Sequence, residues 1–210
     1  MIAPSLPSLR SGRSSLPLAY AERRVAELKA VAPEDAAVLS AWRYINGRWF
    51  LSEFPQETAA TRTWIEAVRN TPDRLLLMVH AEGERVGTLG LRGIDRERRE
   101  AEIDNVLRGR ETPDLPGLMG MAVSTLAAWA ADALGAQRLY LHVFRDNPAR
   151  IFYGRLGFVT VGEPVGLSFV GTGGDGRWEP STDEAERYLV RMELTIDGLT
   201  ARNSRPEDRD

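Results

Sequence analysis

The stretch from Ala101 to Phe158 constrains the fold most, because strand and helix patterns follow one another in a fixed order. Residues 101–107 favour a strand. Residues 116–134 carry apolar side chains at helical spacing, which predicts one buried stripe, at Leu118, Ala122, Leu126, Trp129 and Ala133. Gly135 follows, where a left-handed helix cap is favoured, and residues 139–143 alternate as a strand does. We therefore predict a strand, a glycine-containing turn, a long helix, a second strand and a short helix.

Shorter periodic segments flank this stretch on both sides. They predict a strand over 25–31, helices over 33–45 and 56–69, a β-hairpin over 75–91, and short strands over 159–161 and 189–195.

The ends of the chain and one internal segment lack such patterns. We predict a flexible arm over residues 1–20, a single domain over 21–196 and a flexible tail over 197–210. The Gly-rich segment 166–182 is longer than an ordinary hairpin loop, so we predict either a lid or a disordered insertion there.

Composition excludes several classes of chemistry. The 210 residues include no cysteine, so the chain has no disulfide, no thiolate metal site and no acyl-cysteine route. Lys29 is the only lysine, and no Gly-Lys-Ser or Gly-Lys-Thr phosphate loop exists. A net charge of −3 does not favour nucleic-acid binding. No apolar run is long enough to span a membrane. We expect a cytoplasmic protein with no catalytic metal and no nucleic-acid or membrane partner.

Three short motifs resemble the GNAT superfamily of acyl-CoA-dependent N-acyltransferases. Ala101-Glu102-Ile103, followed by a glycine-containing turn into a helix, is similar to that family's fourth strand and pyrophosphate loop. Asp146-Asn147, Tyr153 and Leu156-Gly157-Phe158 are similar to the end of its fifth strand and the helix after it. The resemblance implies an α/β (α+β) fold, with a mixed, mostly antiparallel central sheet of six to seven strands flanked by about four helices.

The resemblance implies acetyl-CoA as co-substrate, held at the turn before the long helix. A helix N-terminus binds diphosphate because it has free N–H groups and a positive partial charge, and Gly117 lets the backbone approach closely. The cofactor-binding residues that the resemblance implies are Val106, Leu107, Arg108, Arg110, Gly117, Leu118, Met119, Gly120, Asn147 and Tyr153.

The cofactor motifs depart from the family pattern at three points. Asp114 stands at the Gln/Arg position of the loop, and Met119 stands at its second small position. Asn147 precedes Tyr153 by six residues instead of the family's seven, so either Asn147 or Asp146 takes the role of the family's Asn.

The catalytic candidates lie on the predicted central strand and the short helix. Glu102 and Asp104 are two residues apart, so they share a face at about 7 Å. Two neighbouring carboxylates tend to raise one pKa, which suits a base near neutrality. We predict Glu102 first and Asp104 second as that base, with ion pairs to arginines as the alternative. The resemblance implies that Tyr153 protonates the departing thiolate.

The acceptor is predicted to be a primary amine of a small molecule, attacked directly in a ternary complex. Trp42, Trp49 and Asn105 are the predicted acceptor-binding residues, although a regular strand places Asn105 on the face opposite Asp104. The run from Trp42 to Phe50 resembles the family branch that acts on amino sugars and sugar nucleotides. His142 is predicted to be a packed, hydrogen-bonded histidine, with a base as the alternative.

Two other functions stay open. One is acetylation of a protein N-terminus or a ribosomal protein, for which a wide cleft open at both ends is expected. The other is a non-catalytic acyl-CoA-binding domain with the same fold. The resemblance is also compatible with a homodimer.

Overall fold

The computed structural model describes residues 3–20, 23–53, 57–112, 114–171, 176–181 and 184–196. These residues form nine strands and five α-helices. The strands are β1 Leu16–Tyr20, β2 Arg23–Ala30, β3 Leu75–Ala81, β4 Glu84–Asp95, β5 Glu100–Arg108, β6 Arg138–Phe144, β7 Val159–Val170, β8 Arg177–Pro180 and β9 Arg187–Thr195. The helices are α1 Leu6–Arg10, α2 Ala36–Ile45, α3 Thr58–Asn70, α4 Leu118–Leu134 and α5 Ala149–Arg155, with 3-10 turns at Pro33–Asp35 and Gly47–Trp49.

All nine strands join one sheet in the order β1-β2-β3-β4-β5-β6-β9-β7-β8. Neighbours pair antiparallel except β5 and β6, which are parallel because α4 carries the chain back across the sheet. This mixed, mostly antiparallel sheet confirms the predicted fold class. The described sheet has nine strands instead of six to seven, because β1 and β8 add strands at its two edges.

Two hydrophobic cores cover the two faces of the sheet. The β3 sequence Leu-Leu-Leu-Met-Val is buried on both faces: Leu75, Leu77 and Val79 pack in the core that contains α1 and α4, whereas Leu76 and Met78 pack in the core formed with α2 and α3. A strand buried on both sides reads as a continuous apolar run. The second, smaller core holds α2 and α3 against the sheet beside the site described below.

The N-terminal segment differs from the predicted flexible arm. Residues 6–10 form α1 and residues 16–20 form β1, and the leucines of both elements, Leu6, Leu9, Leu16 and Leu18, are buried. The indole Nε1 of Trp129 on α4 donates to the Pro4 carbonyl at 2.7 Å. The scattered leucines are therefore part of the main core. The predicted tail over 197–210 lies outside the described residues.

The described part of the Gly-rich segment extends the sheet. Residues 167–170 of β7 pair antiparallel with β8, and Ser52 bridges to Arg177. The β7–β8 hairpin therefore lies beside the segment that follows the 3-10 turn Gly47–Trp49, and its described residues are not a detached insertion. Residues 172–175 and 182 lie outside the described part.

Strand β5 contains a bulge that shapes the site. Gly90 pairs with Asp104 and Thr88 pairs with Leu107, so Asn105 and Val106 together oppose Leu89. Asn105 takes a positive φ of 51°, which Asn tolerates better than most residues. Because the bulge follows Asp104, Glu102 and Asp104 keep the shared face that we predicted, and Asn105 turns to the same side.

Parallel pairing between β5 and β6 covers only the first residues of each strand. The described pairs run from Glu100–Arg138 to Glu102–Tyr140, although the strands continue to Arg108 and Phe144. Beyond these pairs the two strands separate, and a cleft opens between them.

The close contact between Gly109 and Trp42 gives the first prediction. A Cβ on Gly109 would lie 2.0 Å from the ring of Trp42, which is buried in the second core. Gly109→Ala should therefore destabilise the protein by about 1–3 kcal/mol, since the ring or the backbone must move. The urea midpoint measures this loss. Gly47→Ala, where a Cβ meets nothing within 4 Å, is the control, and equal midpoints for the two variants would contradict the prediction.

Candidate functional site

Two cavities meet in the cleft between β5 and β6. One, of about 680 Å³, lies at the N-terminus of α4, and the other, of about 580 Å³, lies between the separated strands and the α2–α3 side. They share Val106, Arg108, Ala149 and Tyr153. Two molecules bound in these cavities would therefore meet beside Tyr153.

The first cavity has the features of an anion site. Gly117, with φ 76°, is the N-cap of α4, whose first turn presents backbone N–H groups and the positive end of the helix dipole. Arg108, Arg110 and Arg155 also line it. Arg108 lies 3.5 Å from Glu111, and Arg110 lies 3.3 Å from Glu84. These pairs are exposed, so they cost little to exchange for a phosphate.

Most of the predicted cofactor-binding residues line this first cavity. They are Val106, Arg108, Arg110, Gly117, Leu118, Met119, Gly120 and Tyr153. Leu107 and Asn147 line the second cavity instead, and Asp114 lines neither of the two.

Met119, which departs from the family pattern, packs against Gly87 of β4. A Cβ on Gly87 would lie 2.7 Å from the Met119 sulfur and 2.6 Å from the Leu107 carbonyl oxygen. The methionine side chain therefore packs on bare backbone at Gly87. Gly87 thus leaves room on the facing strand for the Met119 side chain.

The structure distinguishes Asp146 from Asn147. The carboxylate of Asp146 accepts two hydrogen bonds from Arg187 Nη2, at 2.7 and 2.9 Å. Asn147 Oδ1 accepts from the Ala149 N–H at 2.9 Å at the start of α5, and Asn147 lines the second cavity. The geometry therefore favours Asn147 as the residue that contacts a bound molecule.

Glu102 is held by two partners. Its carboxylate accepts from Arg92 Nε at 2.9 Å and Nη2 at 2.7 Å, and His142 Nδ1 lies 3.0 Å from Oε1. Burial raises the pKa of Glu102, but the hydrogen bonds with His142 and Arg92 outweigh burial, and the net pKa lies below its ordinary value. Glu102 is therefore an anion at neutral pH. As an anion it can only accept, which puts the His142 proton on Nδ1 and leaves Nε2 unprotonated in the neutral ring.

Asp104 has a different environment two residues later. It pairs with Arg74 at 3.0 Å and accepts from Asn105 Nδ2 at 2.8 Å. Burial raises the pKa of Asp104, against the charges of Arg74 and Arg92. The two carboxylates thus share a face, as predicted, and their pKa values are shifted in opposite directions.

Asn105 belongs to the same cluster. The bulge turns it toward α2, where its Oδ1 accepts from Arg43. A regular strand would place Asn105 on the face opposite Asp104, but the bulge breaks that regularity and Asn105 lies on the same side. Asn105 also lines the second cavity.

The aromatic wall of the second cavity differs in part from the predicted residues. Trp49 lines the cavity together with Phe50 and Trp64, but Trp42 does not. Trp42 is only 8 % exposed and packs in the second core against Gly109. The structure therefore places Trp42 in the core and not in the second cavity. Its neighbour Arg43 reaches the cavity instead, over the Phe50 ring at 4.2 Å.

Tyr153 lies where the two cavities meet. Its ring packs between Phe152 and Phe158, with centroids at 5.2 and 5.8 Å. Burial, and then the charge of Asp104, raise the pKa of the phenol. The hydroxyl therefore stays protonated well above neutral pH and can donate a proton to a group in either cavity.

Sequence reasoning missed three polar residues of this site, Arg43, Arg74 and Arg92. His142 is hydrogen-bonded, as predicted, and it also lines the second cavity. Arg92 could have been found from the short connection between β4 and β5, since Arg92 of β4 pairs directly with Glu102 of β5. Arg74 precedes β3 and reaches Asp104 across the sheet, a contact that no local pattern indicates.

The lowered pKa of Glu102 gives a prediction for stability. Its carboxylate contributes stability above the ordinary pKa of glutamate, and that stability is lost as pH falls through the lower folded value. Glu102→Gln should therefore unfold more easily than the parent at pH 7, and the difference should shrink as pH falls below about 4. Urea unfolding across pH measures this. Glu111→Gln, at an exposed carboxylate, should follow the parent, and a constant gap for Glu102→Gln would refute the prediction.

The sequence and the fold of this chain are both similar to those of known proteins. The family model for the acetyltransferase (GNAT) domain matches residues 26–159. No curated protein sequence matches this chain.

Solved structures share the fold at low sequence identity. RimL, a ribosomal L7/L12 α-N-protein acetyltransferase in complex with coenzyme A, is 17% identical with a TM-score of 0.65, over 88% of this chain and 99% of that one. A spermidine N-acetyltransferase from Vibrio cholerae, in complex with CoA and spermine, is 16% identical with a TM-score of 0.65, over 83% and 98%. An acetyltransferase from Salmonella typhimurium that modifies the N-terminal serine of ribosomal protein L7/L12 is 16% identical with a TM-score of 0.66, over 88% and 100%.

The described residues contain neither a metal-binding cluster nor a membrane-spanning helix. Among them, no group of three or more His, Asp or Glu side chains could hold a metal ion. The helices of the described part are too short or too polar to cross a membrane.

Proposed function

Because this chain belongs to the GNAT family of acetyl-CoA-dependent acetyltransferases, we propose that it acetylates a primary amine of a small molecule by direct transfer. The supporting observation is that two cavities meet at Tyr153, so that both substrates can be held in contact. The absence of cysteine supports direct transfer, since no thiol can carry the acetyl group.

The residues of the first cavity fit acetyl-CoA. The first turn of α4 offers backbone N–H groups for the diphosphate, and three arginines at the cavity offer positive charge. Val106 lines both cavities and Asn147 lines the second one, and the pantetheine arm would pass these two residues. When bound, acetyl-CoA supplies a thioester whose carbonyl carbon is open to attack by an amine.

His142 and Glu102 are the proposed base. The amine must lose a proton to attack, and the site holds an imidazole that lines the acceptor cavity and is oriented by a carboxylate. Glu102, our first candidate from the sequence, is fixed by Arg92 and has a lowered pKa, so it is a poor base by itself. We therefore assign proton acceptance to His142 Nε2, with Glu102 stabilising the imidazolium that forms.

Asp104 is the weaker candidate for the base. Its raised pKa suits a base, but its ion pair with Arg74 and its bond from Asn105 engage the carboxylate. Asp104 therefore serves mainly to position Arg74 and Asn105 at the acceptor.

Tyr153 is the proposed acid. Its phenol is protonated at neutral pH and lies where the cavities meet, so it can deliver its proton to the sulfur as the thiolate departs. The two proton transfers then use different groups on the two sides of the reacting bond.

The acceptor cavity favours a small molecule over a protein. It measures about 580 Å³ and has an aromatic wall of Trp49, Phe50 and Trp64. An amino sugar or sugar nucleotide fits such a wall, since a sugar ring stacks on aromatic side chains. Acetylation of a protein N-terminus is the second candidate, because structures with that activity share the fold.

Calorimetric titration with acetyl-CoA, combined with a thiol-release assay, tests the proposal. We expect binding of acetyl-CoA, and thiol release with members of a panel of amino sugars and sugar nucleotides. Release with N-terminal peptides alone would transfer the function to the second candidate. Binding without release across the whole panel would overturn the catalytic proposal and favour a domain that only binds acyl-CoA.

A further inference from the structure

Positive charge exceeds negative charge in the acceptor cavity. Among its described lining residues, four are arginines, Arg43, Arg74, Arg92 and Arg108, whereas only Glu102 and Asp104 are carboxylates. Two carboxylates alone would attract a cationic amine, but the surrounding arginines give the cavity an excess of positive charge.

Both carboxylates are already engaged. Arg92 holds both oxygens of Glu102, and Arg74 lies 3.0 Å from Asp104 Oδ2. A second cation gains little from a carboxylate that is already paired, because the pair is nearly neutral at a distance. A polyamine acceptor, which needs several carboxylates, therefore fits this cavity poorly.

Arg43 and Arg74 lie close together at the same wall. Their guanidinium carbons lie over the ring of Trp64, at 5.0 and 6.0 Å from its centroid. Arg43 is only 5 % exposed, and the pKa of its guanidinium is lowered to about 10, because burial and the charge of Arg74 outweigh the opposing charge of Asp104. It remains a cation at neutral pH. Arg43 is buried, whereas Arg74 is partly exposed and paired with Asp104, so the desolvation cost falls mainly on Arg43. An oxyanion beside the two guanidinium groups would offset that cost.

We propose, on the premise of the function proposed above, that the acceptor carries an oxyanion close to its amine, and that Arg43 and Arg74 bind this oxyanion beside Trp64. Guanidinium groups match carboxylate and phosphate oxygens in a planar, two-pronged geometry, so either oxyanion fits. The amine then lies toward His142, and the rest of the acceptor packs on the aromatic wall.

Matched pairs of acceptors test this inference. Each pair differs in the oxyanion: glucosamine against glucosamine 6-phosphate and ethanolamine against phosphoethanolamine for phosphate, and propylamine against β-alanine for carboxylate. Thiol release at constant ionic strength gives kcat/KM for each. We expect the oxyanion member of at least one pair to be favoured about tenfold or more. The pair that shows the preference identifies phosphate or carboxylate.

Variants then locate the preference. Arg43→Gln and Arg74→Gln should bring the ratio of kcat/KM within the responding pair close to one. Because the ratio is measured within one preparation, a partly unfolded variant does not distort it. Arg96→Gln removes an exposed arginine outside both cavities and should keep the ratio of the parent.

Three outcomes overturn the inference. Equal or better turnover of the amines that lack an oxyanion, or preference for spermidine, would refute the inference while leaving the proposed function intact. A preference that survives in both Arg43→Gln and Arg74→Gln would show that the oxyanion is bound elsewhere. Absence of turnover with every amine would overturn the proposed function, and this inference with it.

Discussion

His142→Gln should lower kcat by roughly 10²–10⁴-fold, the usual contribution of a general base. Glutamine can still hydrogen-bond to Glu102, so the neighbouring ion pair with Arg92 should stay in place. It has no lone pair that accepts a proton near neutral pH, so the amine would lose its proton acceptor. Steady-state thiol release at saturating acetyl-CoA measures this loss.

A split between parameters separates a chemical role from a structural one. The KM for acetyl-CoA should stay near that of the parent, since His142 lines the acceptor cavity and not the cavity at α4. His80→Gln, at the other histidine, serves as the control and should keep parental kcat, because His80 lines neither of these cavities. Parental kcat in His142→Gln would return the role of base to Glu102 or Asp104.

Tyr153→Phe should lower kcat by about 10²-fold or more, because the departing thiolate would lose its proton donor. Phenylalanine keeps the ring contacts with Phe152 and Phe158, so the fold and its melting temperature should change little. Single-turnover thiol release measures the chemical step apart from product release. Tyr188→Phe, at an exposed tyrosine, is the matched control.

The raised pKa of Tyr153 adds a pH signature to the same experiment. The active form is the protonated phenol, and its pKa lies above the ordinary value near 10. Deprotonation of Tyr153 should therefore cause no loss of kcat in the parent below about pH 10. A parent profile that falls near pH 8, with the fall abolished in Tyr153→Phe, would contradict the assignment, as would unchanged kcat in the variant.

Local patterns predicted the central elements well. The apolar stripe of residues 116–134 and the glycine after it correspond to α4, Leu118–Leu134, with Gly135 as a left-handed cap. Alternation placed β6, apolar runs placed β3, β4 and β9, and the two-residue spacing placed Glu102 and Asp104 on one face. These features follow from the spacing of neighbouring residues, which the sequence displays directly.

The residues whose positions were predicted wrongly from the sequence are held by contacts between distant segments. The leucines of residues 6–18 looked like parts of an arm because much of the core that they join, including Trp129 on α4, lies far away in the sequence. Trp42 looked like an acceptor residue because its partner, bare Gly109, follows another strand. Neither contact has a local signature.

The sequence by itself determined the family motifs, the long helix with its glycine turn, the absence of a thiol and the facing of the two carboxylates. Tertiary structure decided which partners those carboxylates have. A one-residue bulge turned Asn105 into the cluster, and sheet pairing brought Arg92 to Glu102 while parallel β6 brought His142 to the same carboxylate. The physical reason is that charge and pKa depend on what lies within a few ångströms, and strand register sets those neighbours over long sequence distances.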